Sequence, residues 1–149
     1  MRLLLIGQAP SRHGDPTHPL EGRIGLALCK LFGCSFHEYL QETERINVLM
    51  SWPGKNGKGD AFPRAEASLS AKSLMRALAY RRIMFVGVAT GRAFKFRGKP
   101  LQWVRRAGGI EAAVVPHPSG INRWWNSKTN KDRAARFLRR AWRTQGDSR

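Results

Sequence analysis

Apolar residues along this chain fall into short unbroken runs separated by helical stripes. "RLLLIG" (2–7), "INVLM" (46–50), "IMFVGVA" (83–89) and "EAAVVPH" (111–117) are runs of the first kind. They lack the in–out alternation of a half-solvated sheet, so they predict strands buried on both faces, near 2–6, 46–50, 83–88 and 112–116. Between them, Ile24, Ala27, Leu28, Leu31 and Phe32 recur at helical spacing, with Gly33 as the stop. Residues 64–80 are helix-forming in composition, with Leu74, Ala77 and Leu78 on one face, and a short helical piece is expected near "TGRAFKF" (90–96). In "DRAARFLRRAWR" (132–143) a stripe of Ala134, Phe137, Leu138 and Ala141 opposes one of Arg133, Arg136, Arg140 and Arg143. Strands alternating with helices imply an α/β class, a three-layer α/β/α domain around a central, mainly parallel four-stranded sheet. One domain is expected over 1–149, with "TQGDSR" (144–149) as a loose tail.

Composition narrows the partner. The chain has 149 residues, 42% of them hydrophobic, enough to build a core. It carries 27 Lys and Arg against 10 Asp and Glu, a net charge of +17. Such an imbalance destabilises the compact state by self-repulsion and points to a polyanionic partner, nucleic acid first and an anionic membrane surface second. A basic surface with no partner is the plainer alternative. The opening apolar run is too short for a signal peptide and no stretch approaches a membrane span, so a soluble cytoplasmic protein is expected. Cys29 and Cys34 read as free core thiols in a reducing compartment, with no structural metal or cofactor expected. A monomer is expected.

In a parallel sheet the ligand site lies beyond the carboxyl ends of the strands. Three loops meet that condition, 7–22, 51–63 and 117–130, and they hold the chain's unusual residues. His117 sits between prolines and is followed by a Ser119–Gly120 turn, Ile121, Arg123 and the adjacent Trp124 and Trp125. A histidine there is either a chemical group or a loop residue capping a strand. Asn47 offers a donor and an acceptor to one edge of a base, or bonds backbone at the sheet edge. The tryptophans offer stacking surfaces, although one of them is as readily a core anchor.

Read together, these loops resemble the uracil-DNA glycosylase superfamily, in particular a compact phage-type member without an iron–sulfur cluster. "GQAPSRHGDPTHPLEGRIG" (7–25) is similar to its first motif, a Gly-x-Ala-Pro turn followed by a Gly-Arg-x-Gly helix start, and "HG" (13–14) to the branch with broad base specificity. "INVLMSWPGKNGKGDAFPRAEA" (46–67) resembles the segment whose Asn reads the flipped base, and "PHPSG" (116–120) the His-Pro-Ser motif. "GINRWWN" (120–126) is similar to phage-encoded relatives. The resemblance implies a monofunctional DNA base glycosylase, hydrolysing the N-glycosidic bond of uracil or a related base in single- or double-stranded DNA after extruding the nucleotide. His117 then donates to the departing base, while Gln8, Ala9, Asn47 and Leu20 line the base pocket. Ser11, Lys55, Lys58, Ser119, Gly120, Arg123, Trp124 and Trp125 contact DNA, and Ile121 fills the gap in the duplex.

The sequence departs from the pattern where water is activated. Ala9 and Arg12 stand where relatives carry an Asp or a Glu, leaving Asp15 and His13 as candidates. Asp15 before Pro16 is equally explained as turn chemistry. Leu20 stands where the family stacks an aromatic on the base; Phe62 or Trp52 are possible substitutes. His18 has no assigned role, and His37 reads as a surface residue of a helix. Loss of both usual acids favours a rival reading, a DNA-binding module of the same fold that has lost catalysis and recognises modified DNA or regulates a partner. Hydrolysis of a free nucleoside is disfavoured because a small substrate does not require +17.

Overall fold

The computed structural model describes residues 2–146. Its strands and helices alternate: β1 (Leu3–Gly7), α1 (Arg23–Phe32), α2 (Phe36–Glu42), β2 (Thr43–Asn47), β3 (Lys55–Asn56), β4 (Gly59–Asp60), α3 (Arg64–Ala77), β5 (Arg82–Val86), α4 (Val88–Ala93), β6 (Val104–Arg105), β7 (Glu111–Val115) and α5 (Lys128–Gly146). The central sheet runs β2-β1-β5-β7-β6. The first four strands are mutually parallel and β6 pairs antiparallel with β7. This is the α/β/α architecture expected from the sequence, with a fifth strand added. Two residues at a sheet edge leave no periodicity to read, which is why β6 escaped prediction.

Each layer follows from alternation along the strands. Leu4, Ile6, Ile83, Phe85, Ala112 and Val114 pack with Ala67 and Ala71 of α3 and Ala93 of α4. Leu3, Leu5, Met84, Val86 and Val115 face the other way, onto Leu28 and Phe32 of α1, Tyr39 of α2, and Leu138 and Ala141 of α5. All four apolar side chains of β1 are at most 1% exposed, each burial stabilising by about 1.5–3 kcal/mol. The loops at its carboxyl end therefore hang from a fully buried strand.

The strand boundaries differ from the sequence reading by one to a few residues, and three differences have a physical cause. The third strand is 82–86 rather than 83–88, because Gly87, with a φ of 108°, turns the chain into α4 at Val88. The second strand is 43–47 rather than 46–50. It is an edge strand, so charged Glu44 and Arg45 are tolerated on it, whereas Val48 and Leu49 enter the core just past its end. Residues 144–146 belong to α5 instead of a tail, and residues 147–149 lie outside the described ones. The reason is a side-chain acceptor: Gln145 Oε1 takes the Leu3 N–H at 2.9 Å, tying the helix end to β1. Gly33 closes α1 as expected, and His37 is exposed on α2. Cys29 and Cys34 are free thiols, the first buried and the second half-buried. No helix among the described residues is long and apolar enough to cross a membrane.

Candidate functional site

The chain passes from β1 to β2 on one side and returns to β5 on the other side of β1. That reversal opens a crevice at the carboxyl ends of the strands. The loops after β1, β2 and β7 all lie at that end.

At the head of β1 and β2, Gly7 pairs with Asn47. A Cβ on Gly7 would stand 2.5 Å from Asn47 Oδ1 and 2.8 Å from Leu20 Cδ2, so only glycine leaves room for these two side chains. Asn47 Oδ1 is buried and has no hydrogen-bond partner among the described residues. A buried acceptor left unpaired costs about 1–3 kcal/mol, which a ligand donor would recover. Leu20 holds a φ of 58°, uncommon for a non-glycine residue. Its carbonyl accepts Tyr39 Oη–H at 2.9 Å and rests on the bare Cα of Gly25, where a side chain would collide. Gln8 spans two loops: its carbonyl accepts the Leu49 N–H at 2.9 Å, and its Nε2 reaches Ala61 O at 3.4 Å. Ala9 packs against the core beneath.

Across the crevice, the loop after β7 is built around one carbonyl. His117 O accepts the Ser119 N–H at 2.9 Å, Asn122 Nδ2–H at 3.0 Å and Trp125 Nε1–H at 2.9 Å. The backbone of His117 is thus fixed, while its imidazole makes no hydrogen bond or ion pair among the described residues. That ring packs on Gly87, which has a φ of 108°; a Cβ there would meet His117 Cβ at 3.5 Å. Burial pushes the His117 pKa down, and the Asp60 carboxylate pulls the other way. The imidazole is therefore neutral near pH 7, with one ring nitrogen a donor. Trp125 is the anchor of the tryptophan pair, packed on the α1–α2–α5 core. Trp124 meets it edge-on at 4.7 Å and makes no side-chain hydrogen bond among the described residues.

The second loop folds into the β3–β4 hairpin. Ile121, 59% exposed, rests on it, 3.1 Å from the position of a Gly59 Cβ. Lys55 pairs with Asp60 at 3.4 Å, and Lys58 is exposed. Gly120 and Arg123 are exposed beside α5, whose outer face presents Arg133, Arg136, Arg139, Arg140 and Arg143.

The first loop is organised differently. Asp15 Oδ1 accepts the Thr17 N–H at 2.8 Å and Thr17 Oγ1–H at 2.6 Å, and Oδ2 meets His18 Nδ1 at 2.8 Å. These bonds pull the Asp15 pKa down to about 2, with Thr17 the main cause. His18 thereby acquires a structural role. Ser11 and Gly14 close a tight turn, His13 is exposed, and the Arg12 guanidinium lies 5.7 Å from the Trp52 ring. Asn47, Leu20 and Gly7 form one group, and His117, Trp125 and Gly87 another. Asp15 and His13 join neither.

Sequence reasoning missed Asp60, Asn122 and Gly87. Asp60 sits in "GKGDAF", where it is indistinguishable from turn chemistry, and Asn122 reads as a loop residue. Gly87, ending an apolar run ahead of a helix, was the one legible signal. Among the described residues no group of three His, Cys, Asp or Glu is placed to hold a metal ion. No family model matches the chain, and no curated protein is significantly similar to it.

Proposed function

We propose that the protein is a monofunctional DNA base glycosylase of the uracil-DNA glycosylase kind, releasing uracil or a related modified base. The observation that carries this reading is the unpartnered, buried Oδ1 of Asn47, held between Gly7 and Leu20 at the carboxyl end of a parallel sheet. An acceptor so placed selects a ring N–H on a base edge, and its desolvation is offset only when that base is present.

Glycosidic cleavage spreads positive charge over the sugar and negative charge over the departing base. A neutral imidazole donating from His117 stabilises that anion without carrying a charge that binds the ground state equally. Asp15 is ill suited as a base: a carboxyl with a pKa of about 2 accepts a proton weakly, and its oxygens are already engaged. Asp60, whose charge acts on His117 and which pairs with Lys55, is the other carboxylate proposed for the cationic sugar or its attacking water. Exposed Ile121 supplies a wedge and Trp124 a stacking face, while the arginines of α5 contact phosphates.

The state of Asp15, with Ala9 and Arg12 in place of acids, favours a second reading: a DNA-binding module of this fold without catalysis. Incubating the protein with a uracil-containing oligonucleotide, followed by alkali, separates the two. Strand breaks at the uracil support the enzyme. Binding without breaks, also with hydroxymethyluracil, xanthine and hypoxanthine, supports the module.

A further inference from the structure

A cleft of about 280 Å³ opens at the amino end of the sheet, the pole opposite His117. Arg81, Arg82, Arg105, Glu111 and Gln145 line it, so three guanidiniums face a single carboxylate. Among the described residues, two buried donors in this lining lack a hydrogen-bond partner: Gln145 Nε2 and Arg82 Nε. Both side chains are held from their other atoms. Gln145 is 6% exposed and fixed through Oε1 to the Leu3 N–H. Arg82 lies 4.3 Å over the Trp103 ring and donates from Nη1 to Thr144 Oγ1 at 2.9 Å. Its Nε is 3.6 Å from Glu111 Oε2, beyond hydrogen-bond reach. Arg81 and Arg105 are exposed and form no ion pair among the described residues.

Fixed donors without acceptors, collected in one cationic cleft, are complementary to an oxyanion. We propose that this cleft is a phosphate-binding site, taking the phosphate of a phosphate ester or diphosphate. Gln145 Nε2 and Arg82 Nε donate from its floor, and Arg81 and Arg105 close on the ligand from its rim. Guanidiniums match phosphate oxygens in pairs, which a surface of lysines would not do. Burial depresses the Arg82 pKa, so its charge is incompletely solvated, and an incoming anion relieves that deficit. The site does not depend on the glycosylase reading, because it shares no residue with the crevice.

The test is a titration of the full-length ¹⁵N-labelled protein with pyrophosphate, following the Gln145 Nε2 and Arg82 Nε signals. Both are expected to shift saturably. The double variant Arg81→Ala/Arg105→Ala should weaken binding by about tenfold or more. Lys30→Ala/Lys72→Ala, which removes the same charge from elsewhere on the surface, should leave affinity unchanged. Absence of saturable shifts at the two floor donors overturns the proposal, as does equal weakening by both double variants. A competing oligonucleotide with hydroxyl ends, offering only diesters, then identifies the source. Displacement of pyrophosphate assigns the site to a nucleic-acid backbone; failure to displace assigns it to a small phosphate ester. Either source leaves the site standing.

Discussion

The loop after β7 and the loop after β1 each carry a titratable group among turn residues, and they handle it in opposite ways. Around His117 the turn is held by a backbone carbonyl that gathers three donors, leaving the imidazole free of structural duty. Around Asp15 the carboxylate itself holds the turn, accepting from Thr17 and meeting His18. A side chain that builds its own loop is spent, because any proton transfer would dismantle the bonds that position it. A side chain carried by a loop built from other atoms remains available. Burial completes the contrast, making His117 a neutral donor while Asp15 stays a solvated, weakly basic carboxylate.

The largest effect that sharpens this comparison is electrostatic. If the basic face of α5 and the His117 loop together neutralise six or more phosphates, DNA affinity should fall by about 10³-fold or more between low and moderate salt. Affinity flat over that range would detach the loop from DNA. Truncating the side chains proposed to meet the extruded state comes next. Ile121→Ala and Trp124→Ala should weaken capture of duplex substrate more than of single strand, because only a duplex leaves a gap to fill. Equal losses on both forms would reduce these residues to general contact surface.

Smaller effects probe the scaffolding. Gly87→Ala forces a side chain into a φ of 108° and against the imidazole, at a cost of about 1–3 kcal/mol in denaturant unfolding. Trp125→Phe removes one of three donors to His117 O and should cost about 0.5–1.5 kcal/mol, whereas Trp124→Phe should cost nearly nothing. A reversed order would mean that the wrong tryptophan has been taken as the anchor.

The pH dependence of stability separates the two loops with opposite signs. His117 has a lowered pKa in the folded state, so the unfolded chain binds more protons below its ordinary value of about 6.5. Stability should therefore rise with pH through the window below 6.5 and level off above it, and His117→Gln should flatten that rise. Asp15 contributes stability that is present above 3.8 and is lost as pH falls towards 2. Asp15→Asn should erase only that acid limb.

The sequence made the sheet legible because three of its strands, β1, β5 and β7, are buried on both faces and read as solid apolar runs. It failed at the edges. β2 carries Thr43, Glu44 and Arg45 because an edge strand is half-solvated, so its apolar run starts only at Ile46 and the sequence places the strand three residues late. Within the crevice, His117 and Asn47 stood out by residue type and position. What could not be read was the division of labour: which polar atoms of a loop bond each other is set by backbone geometry. "HGDPTH" and "HPSGIN" look equally chemical on the page. Asn122 matters only because a turn brings its amide to His117 O, and Asp60 because its charge acts on the imidazole from the hairpin.

The central claim is that the β7 loop performs the chemistry and the β1 loop does not. Single-turnover cleavage of a uracil-containing oligonucleotide by the wild type, His117→Ala and Asp15→Asn tests it most directly. The account predicts a loss of about 10²–10³ for His117→Ala with DNA affinity nearly unchanged, and a rate close to wild type for Asp15→Asn. A loss in Asp15→Asn equal to or greater than that in His117→Ala would contradict it, as would a wild-type protein that cleaves nothing.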